Sequence, residues 1–181
     1  LISRHGAKAV GLSGKDGGLI QAKPFTKADW ARKLGADLGG WGEDEDYGLV
    51  GDVQAVDSSI LKNLQTTNAI PVIAPMGVGK DGRTYNINAD LVAGAVAAAL
   101  GAEKLIVLTD VRGIKDEDGK LLSTLARKDM ARMVKKGTIS EGMLPKVQSC
   151  LNALEGGVKK AHIIDGRTPH AILLEIFTDK G

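Results

Sequence analysis

Residues 105–109, Leu-Ile-Val-Leu-Thr, form an unbroken apolar run that closely follows an Ala-rich stretch at 91–100. A short run with Ile and Val at its centre predicts a strand buried on both faces. The Ala-rich stretch predicts a helix. A strand of this kind must be covered by helices, which constrains the chain to an α/β fold with a largely parallel sheet. The rest of the sequence keeps the same alternation. Segments at 7–12, 19–22, 47–56, 70–75 and 162–164 predict strands. Helical patterns appear at 57–66, with Asp57-Ser58-Ser59 as the cap, and at 130–134, 144–154 and 170–177. The glycine-rich turn at 14–18 predicts a hairpin between the first two strands, and 116–119 predicts a turn. Residues 25–46 are polar and glycine-rich, so they predict a loop with at most one short helix near 27–34. An internal boundary is expected near Gly101.

Composition removes several function classes. The 181 residues suffice for one ordinary domain or two small ones. Lys and Arg number 24 and Asp and Glu 22, a net charge of +2, so no basic surplus points to nucleic acid. Gly is abundant at 24, while Trp, Tyr and Phe occur twice each, which argues against a compact all-β sandwich. Cys150 is the single cysteine, so an intramolecular disulfide and a cysteine-built zinc site are excluded. The longest apolar run, 91–102, is interrupted by glycine and too short to span a bilayer. With no secretory pattern at the start, the expectation is a soluble cytoplasmic protein without membrane contact. The chain opens at Leu1 rather than Met and closes on Gly181 with no obvious final element, so a fragment or cleaved chain is expected.

Several positions could carry chemistry. Gly77 to Gly82 matches G-x-G-x-x-G. A dinucleotide site needs a helix opening directly on the third glycine, whereas Arg83-Thr84-Tyr85-Asn86 extends the chain, so a plain glycine turn is the simpler reading. Residues 9–16 are no phosphate loop, because Ala9 stands where the first glycine is needed and Asp16 where Ser or Thr should be. Asn88 predicts a helix cap, with Asp90 in the first turn, where the dipole favours an anion. Asn86 adds a second amide beside that helix mouth. Pro145 starts another helix near 144 and leaves Lys146 in its first turn, where a cation is disfavoured by ~0.3–1 kcal/mol. A lysine at a free helix N-terminus is suited to an anionic ligand such as phosphate. Thr109 to Ile114 leaves the carboxyl end of a buried strand, the edge where α/β proteins bind ligands. His5, His162 and His170 show no metal-ligand spacing, and Cys150, Met130, Met133 and Met143 read as core.

Taken together, these stretches resemble the N-acetyl-L-glutamate kinases of the amino-acid-kinase superfamily. The carrying segments include Gly11-Leu-Ser-Gly-Lys-Asp-Gly-Gly18, Tyr85-Asn-Ile-Asn-Ala-Asp90, Leu108-Thr-Asp-Val111 with Gly113, Gly137-Thr-Ile-Ser140, Gly142-Met-Leu-Pro-Lys146 and His162-Ile-Ile-Asp-Gly-Arg167. The resemblance implies a doubly wound, mostly parallel α/β sheet sandwiched by helices. Residues 1–100 would finish the acyl-amino-acid lobe and 101–181 make most of the nucleotide lobe. Relative to the family the chain looks like the C-terminal portion, with the N-terminal part missing. The implied reaction is ATP-dependent phosphorylation of the side-chain carboxylate of N-acetyl-L-glutamate in arginine biosynthesis.

By the same resemblance, Lys146 is the transition-state cation, Asp90 organises the cationic groups and Asn86 binds the substrate. Thr109, Asp110, Val111, Arg112, Gly113, Ile114 and Lys115, with Thr138, Ile139 and Ser140, line the nucleotide. ATP brings Mg2+ with it, and no protein metal site is expected. Glu175 and Gly181 would bind arginine as a feedback effector, and the implied assembly is a homo-oligomer. This chain alone would be inactive. Two rivals remain at this point. One is an isolated nucleotide- or arginine-binding fragment without turnover. The other is a dinucleotide-dependent oxidoreductase, which requires a helix beginning near Gly82.

Overall fold

The computed structural model describes residues 1–26, 48–139 and 141–178. The expected short helix near 27–34, the start of the strand at Tyr47, and the candidate residues Ser140 and Gly181 lie outside these residues. Among the described residues the strands are β1 (Lys8–Ser13), β2 (Ile20–Pro24), β3 (Val50–Val56), β4 (Ala69–Ala74), β5 (Met76–Gly79), β6 (Thr84–Ile87), β7 (Lys104–Thr109) and β8 (Lys160–Asp165). The α-helices are α1 (Ser59–Gln65), α2 (Ala89–Leu100), α3 (Arg127–Lys136), α4 (Leu144–Glu155) and α5 (Ala171–Phe177). β1 pairs with β4 and β7 with β8, both in parallel. Between them β2, β3, β6 and β5 close into a small mixed barrel. The architecture is α/β, with helices on parallel strands.

The expected hairpin between the first two strands does not form. β1 takes β4 as its parallel partner, with Lys8 opposite Ala69, while β2 runs antiparallel to β3 and parallel to β5. The cause is the connection. Asp16 accepts from the Ser13 main-chain N–H at 2.6 Å and from its hydroxyl at 3.0 Å, and Gly17 and Gly18 both take positive φ. That turn sends the chain out of one sheet and into the barrel. The helix start at 57–59 also differs in detail. Asp57 accepts from the Ser59 N–H at 3.0 Å, whereas the Ser58 hydroxyl reaches away to the Ala99 carbonyl at 3.1 Å.

Three apolar clusters form the core. Leu19, Ile20, Leu61, Tyr85, Ile87 and Val92 fill the space between the barrel, α1 and α2. Met130, Ile139, Met143, Leu144, Val147 and Leu151 pack α3 against α4. Ala97, Leu105, Val107, Cys150, Ala153 and Val158 join α2 and α4 to β7. β7 is therefore buried fully on one face only: Leu105 and Val107 point inward, while Leu108 is 49% exposed. α2 and α4 lie against each other and tie the two halves together. No helix among the described residues is long and apolar enough to cross a membrane.

Candidate functional site

α2 begins where its sequence says it should. Asn88 is the cap residue, and its side-chain oxygen accepts from the N–H groups of Asp90 at 2.9 Å and Leu91 at 3.2 Å. This satisfies two of the donors that a helix start leaves open. Asp90 then sits in the first turn, where the helix dipole favours its charge. Gly101 closes the helix in the left-handed conformation at φ 61.

α4 begins differently. Met143 precedes it with no side-chain cap, and Pro145 occupies the first turn. A 3-10 turn, Glu141–Met143, leads straight into the helix, and Lys146 stands in its first turn. The Lys146 ammonium meets the Asp90 carboxylate at 3.0 Å, and the side chains are 22% and 21% exposed. The pair joins the starts of two helices and residues 56 apart in the chain. Asp90 thus offsets the unfavourable placing of a cation at a helix N-terminus, while the ammonium and the positive end of the helix dipole together suit an anion. Asn86 lies on β6, two residues before the cap, with its side chain exposed and its main-chain N–H on Leu49 at 2.8 Å.

The β5–β6 connection is a hairpin. Gly82 turns at φ 76, the Arg83 N–H donates to Asp81 at 3.0 Å, and the Tyr85 hydroxyl donates to Asp81 at 2.8 Å. These two donors hold the Asp81 carboxyl below its ordinary range. The oxidoreductase reading needs a helix opening near Gly82, and a strand stands there instead.

The carboxyl edge of β7 and β8 gathers a second charged group. The Thr109 hydroxyl donates to Asp110 at 3.3 Å, and the Gly166 N–H donates to the Thr109 carbonyl at 2.8 Å. Arg167 grips Asp165 through two donors at 2.9 and 2.8 Å. Those hydrogen bonds, first from the Arg167 side chain and then from its main chain, hold the Asp165 carboxyl down to about 2. Val111 and Arg112 are exposed beyond the strand, Gly113 has φ 135, and Lys115 bridges to Leu121. Thr138 lies elsewhere, in a cleft of about 310 Å³ with Asp116, Glu117, Asp118, Arg132, Met133 and Lys136. Ile114 packs against the α3–α4 core, and Ile139 is part of it, so the Ile139 side chain points away from solvent.

Glu175 is buried, with its carboxylate 2.5 Å from His162 Nδ1. His162 Nε2 is buried with no hydrogen-bond partner among the described residues. The carboxylate expected to meet a guanidinium is thus already engaged within the fold. Cys150 is 1% exposed, and burial, with the nearby Asp90 charge second, pushes its thiol up to about 12. It is an inert core residue. No group of three or more His, Cys, Asp or Glu side chains is disposed to hold a metal ion among the described residues.

Sequence reasoning overlooked two residues at the helix crossing. Ser149 is fully buried, and its hydroxyl donates to the Asp90 main-chain carbonyl. A Cβ added at Gly94 would stand 2.6 Å from the Ser149 carbonyl oxygen. The available signal was spacing: Ser149 is three residues after Lys146 and Gly94 four after Asp90, so each shares a helix face with its partner. The Asp165–Arg167 clasp was also not singled out.

Known proteins share this sequence and fold. The model of the amino acid kinase family matches residues 1–165. The chain is 57% identical over 180 residues to the acetylglutamate kinase of Pelobacter propionicus, covering 99% of this chain and 60% of that protein. It is 50% identical over 184 residues to the acetylglutamate kinase of Aquifex aeolicus, with 100% and 60% covered. Among solved structures, N-acetylglutamate synthase from Neisseria gonorrhoeae, complexed with coenzyme A and N-acetyl-glutamate, matches with TM-score 0.76 at 26% identity. That match covers 97% of this chain and 36% of the synthase. Giardia carbamate kinase shares the fold with TM-score 0.64 at 19% identity, covering 91% of this chain and 60% of that one. The chain spans about 60% of the length of the curated relatives it matches. It belongs to the amino acid kinase family.

Proposed function

We propose that these residues belong to an enzyme that transfers the γ-phosphoryl group of ATP to the side-chain carboxylate of N-acetyl-L-glutamate, giving an acyl phosphate in arginine biosynthesis. The observation that carries the reading is the Lys146–Asp90 pair at two adjoining helix N-termini. The relatives' shared name, acetylglutamate kinase, supports the choice of substrate.

The chemistry suits what the site offers. A glutamate side chain has a pKa near ~4.3, so at neutral pH the nucleophile is already ionised and needs no general base. The difficulty is to bring two anions together and to spread the charge on the phosphoryl group in flight. The Lys146 ammonium and the positive end of the α4 dipole would meet that charge. Asp90 would hold the ammonium in place, and Asn86 would hold the amino-acid end of the substrate. Thr109 to Lys115 at the edge of β7, with Thr138, Ser140 and the main chain of Ile139 before α4, would line the nucleotide, and residues 1–100 and 101–181 would serve as the two lobes. ATP is a substrate here, and magnesium would travel on its phosphates. In the assembled homo-oligomer, arginine would act as an effector at Glu175, displacing His162 from the carboxylate. Because the chain spans about 60% of its relatives, residues 1–181 alone would turn over little.

The test is a chain of full family length carrying these residues, incubated with ATP and N-acetylglutamate, with hydroxylamine to trap the acyl phosphate. Hydroxamate that requires both substrates is the expected result. Binding of ATP or arginine in separate titrations, with no hydroxamate, would favour a binding module instead.

A further inference from the structure

α4 holds Asp90 at two points. Lys146 takes its carboxylate, and Ser149, three residues further along the same helix face, takes its main-chain carbonyl. A serine inside a helix ordinarily returns its hydroxyl to a carbonyl of its own helix one turn back. Ser149 gives its hydroxyl to the other helix, from a position with no solvent exposure. Gly94, four residues after Asp90, provides the room: a Cβ there would stand 2.6 Å from the Ser149 carbonyl oxygen and 2.7 Å from its hydroxyl. Gly156 makes a similar close approach farther along the crossing, where a Cβ would stand 2.4 Å from that of Ala98.

The ion pair by itself cannot set this register. A lysine has a long, flexible side chain, and a partly exposed pair can keep its contact while the helices slide. A buried hydroxyl seated in a glycine notch cannot, because sliding would leave it unpaired. We propose that Ser149 is a positioning residue: its hydroxyl, seated against Gly94, fixes the register of α4 on α2 and thereby holds the Lys146 ammonium where the phosphoryl group passes. This rests on the catalytic reading of Lys146 and Asp90 above.

The test is a double-mutant cycle in a chain of full family length, comparing the unaltered protein, Ser149→Ala, Lys146→Ala and the double variant. Misplacing a catalytic group by a fraction of an ångström commonly lowers the rate by ~10-fold or more. Ser149→Ala is therefore expected to lower kcat by about that factor, with KM for both substrates and Tm nearly unchanged. In the Lys146→Ala background the same substitution should leave the residual kcat unchanged, since no ammonium remains to be placed. Gly94→Ala, which keeps the hydroxyl but pushes the helices apart, is the second variant and should show the same dependence on Lys146. Full kcat in Ser149→Ala overturns the inference. So does a kcat loss that recurs undiminished in the Lys146→Ala background, because Ser149 would then act on the fold at large. If Lys146→Ala itself keeps full kcat, the catalytic reading fails and the inference with it.

Discussion

Lys146 meets Asp90 across 56 residues of chain and two helices, whereas Arg167 folds back onto Asp165 within one turn. Both contacts pair a carboxylate with a cation at about hydrogen-bond length, 3.0 Å in the first and 2.8–2.9 Å in the second. They differ in what holds them. The Asp165–Arg167 clasp is local: the Arg167 main-chain N–H donates to the same carboxylate at 3.0 Å, and the guanidinium stays 65% exposed. The turn supplies it, and it would persist if neighbouring elements shifted. The Lys146–Asp90 pair exists only because α2 and α4 approach closely at Gly94 and Ser149. A group that meets charge in a transition state must be held within a fraction of an ångström, and packed helices hold a side chain more firmly than an exposed turn. The long-range pair is therefore held by the packing of two helices, as the proposed role requires, and the short-range pair by its own turn.

The strongest way to break this comparison is Lys146→Ala. In a chain of full family length it should lower kcat by ~10²–10³ and leave KM nearly unchanged, because in the proposed function the ammonium works mainly in the transition state. Tm should hardly move, since Asp90 keeps the favourable field of the α2 N-terminus. Lys146→Arg should restore only part of the rate, as a planar fork presents its donors differently from a compact ammonium. Unchanged turnover with a raised KM for ATP would reduce Lys146 to a ground-state phosphate contact.

Gly94→Ala comes next and is read by calorimetry. A methyl forced against the Ser149 main chain is an overpacked core, typically worth ~1–3 kcal/mol. An unchanged melting curve would show that α2 and α4 do not rely on this contact. Glu175→Ala should destabilise by a similar or smaller amount, about 1–3 kcal/mol, because it strips the half-buried His162 ring of its Nδ1 partner. Retained stability there would mean that α5 docks without the pair.

The smallest effect belongs to Asp165→Asn. The folded Asp165 carboxyl titrates at about 2, below its ordinary 3.8, so the charged form favours folding. That contribution is complete above the ordinary value and is lost as pH falls through about 2. The Tm difference between the two proteins should be small at neutral pH and should vanish on acidification through that window. A difference independent of pH would mean that the clasp is not its source.

Sequence alone determined what depends on a few neighbouring residues. The α/β order, the Asn88 cap, the placing of Asp90 and Lys146 in first turns, the turn at 116–119 and the Cys150 core position all follow from signals within one or two helical turns. Such signals are energies of local hydrogen bonds and periodic apolar faces, and those are written in adjacent letters. The family motifs were legible for the same reason. Tertiary structure alone decided which strands became neighbours, so β1 lies beside β4 rather than β2, and four short strands close into a barrel. It also decided that Lys146 lands on Asp90, that Ser149 fills the notch at Gly94, and that Glu175 turns inward to His162. These contacts join residues far apart in sequence. Each is settled by how well two whole surfaces pack, and no local periodicity encodes that competition.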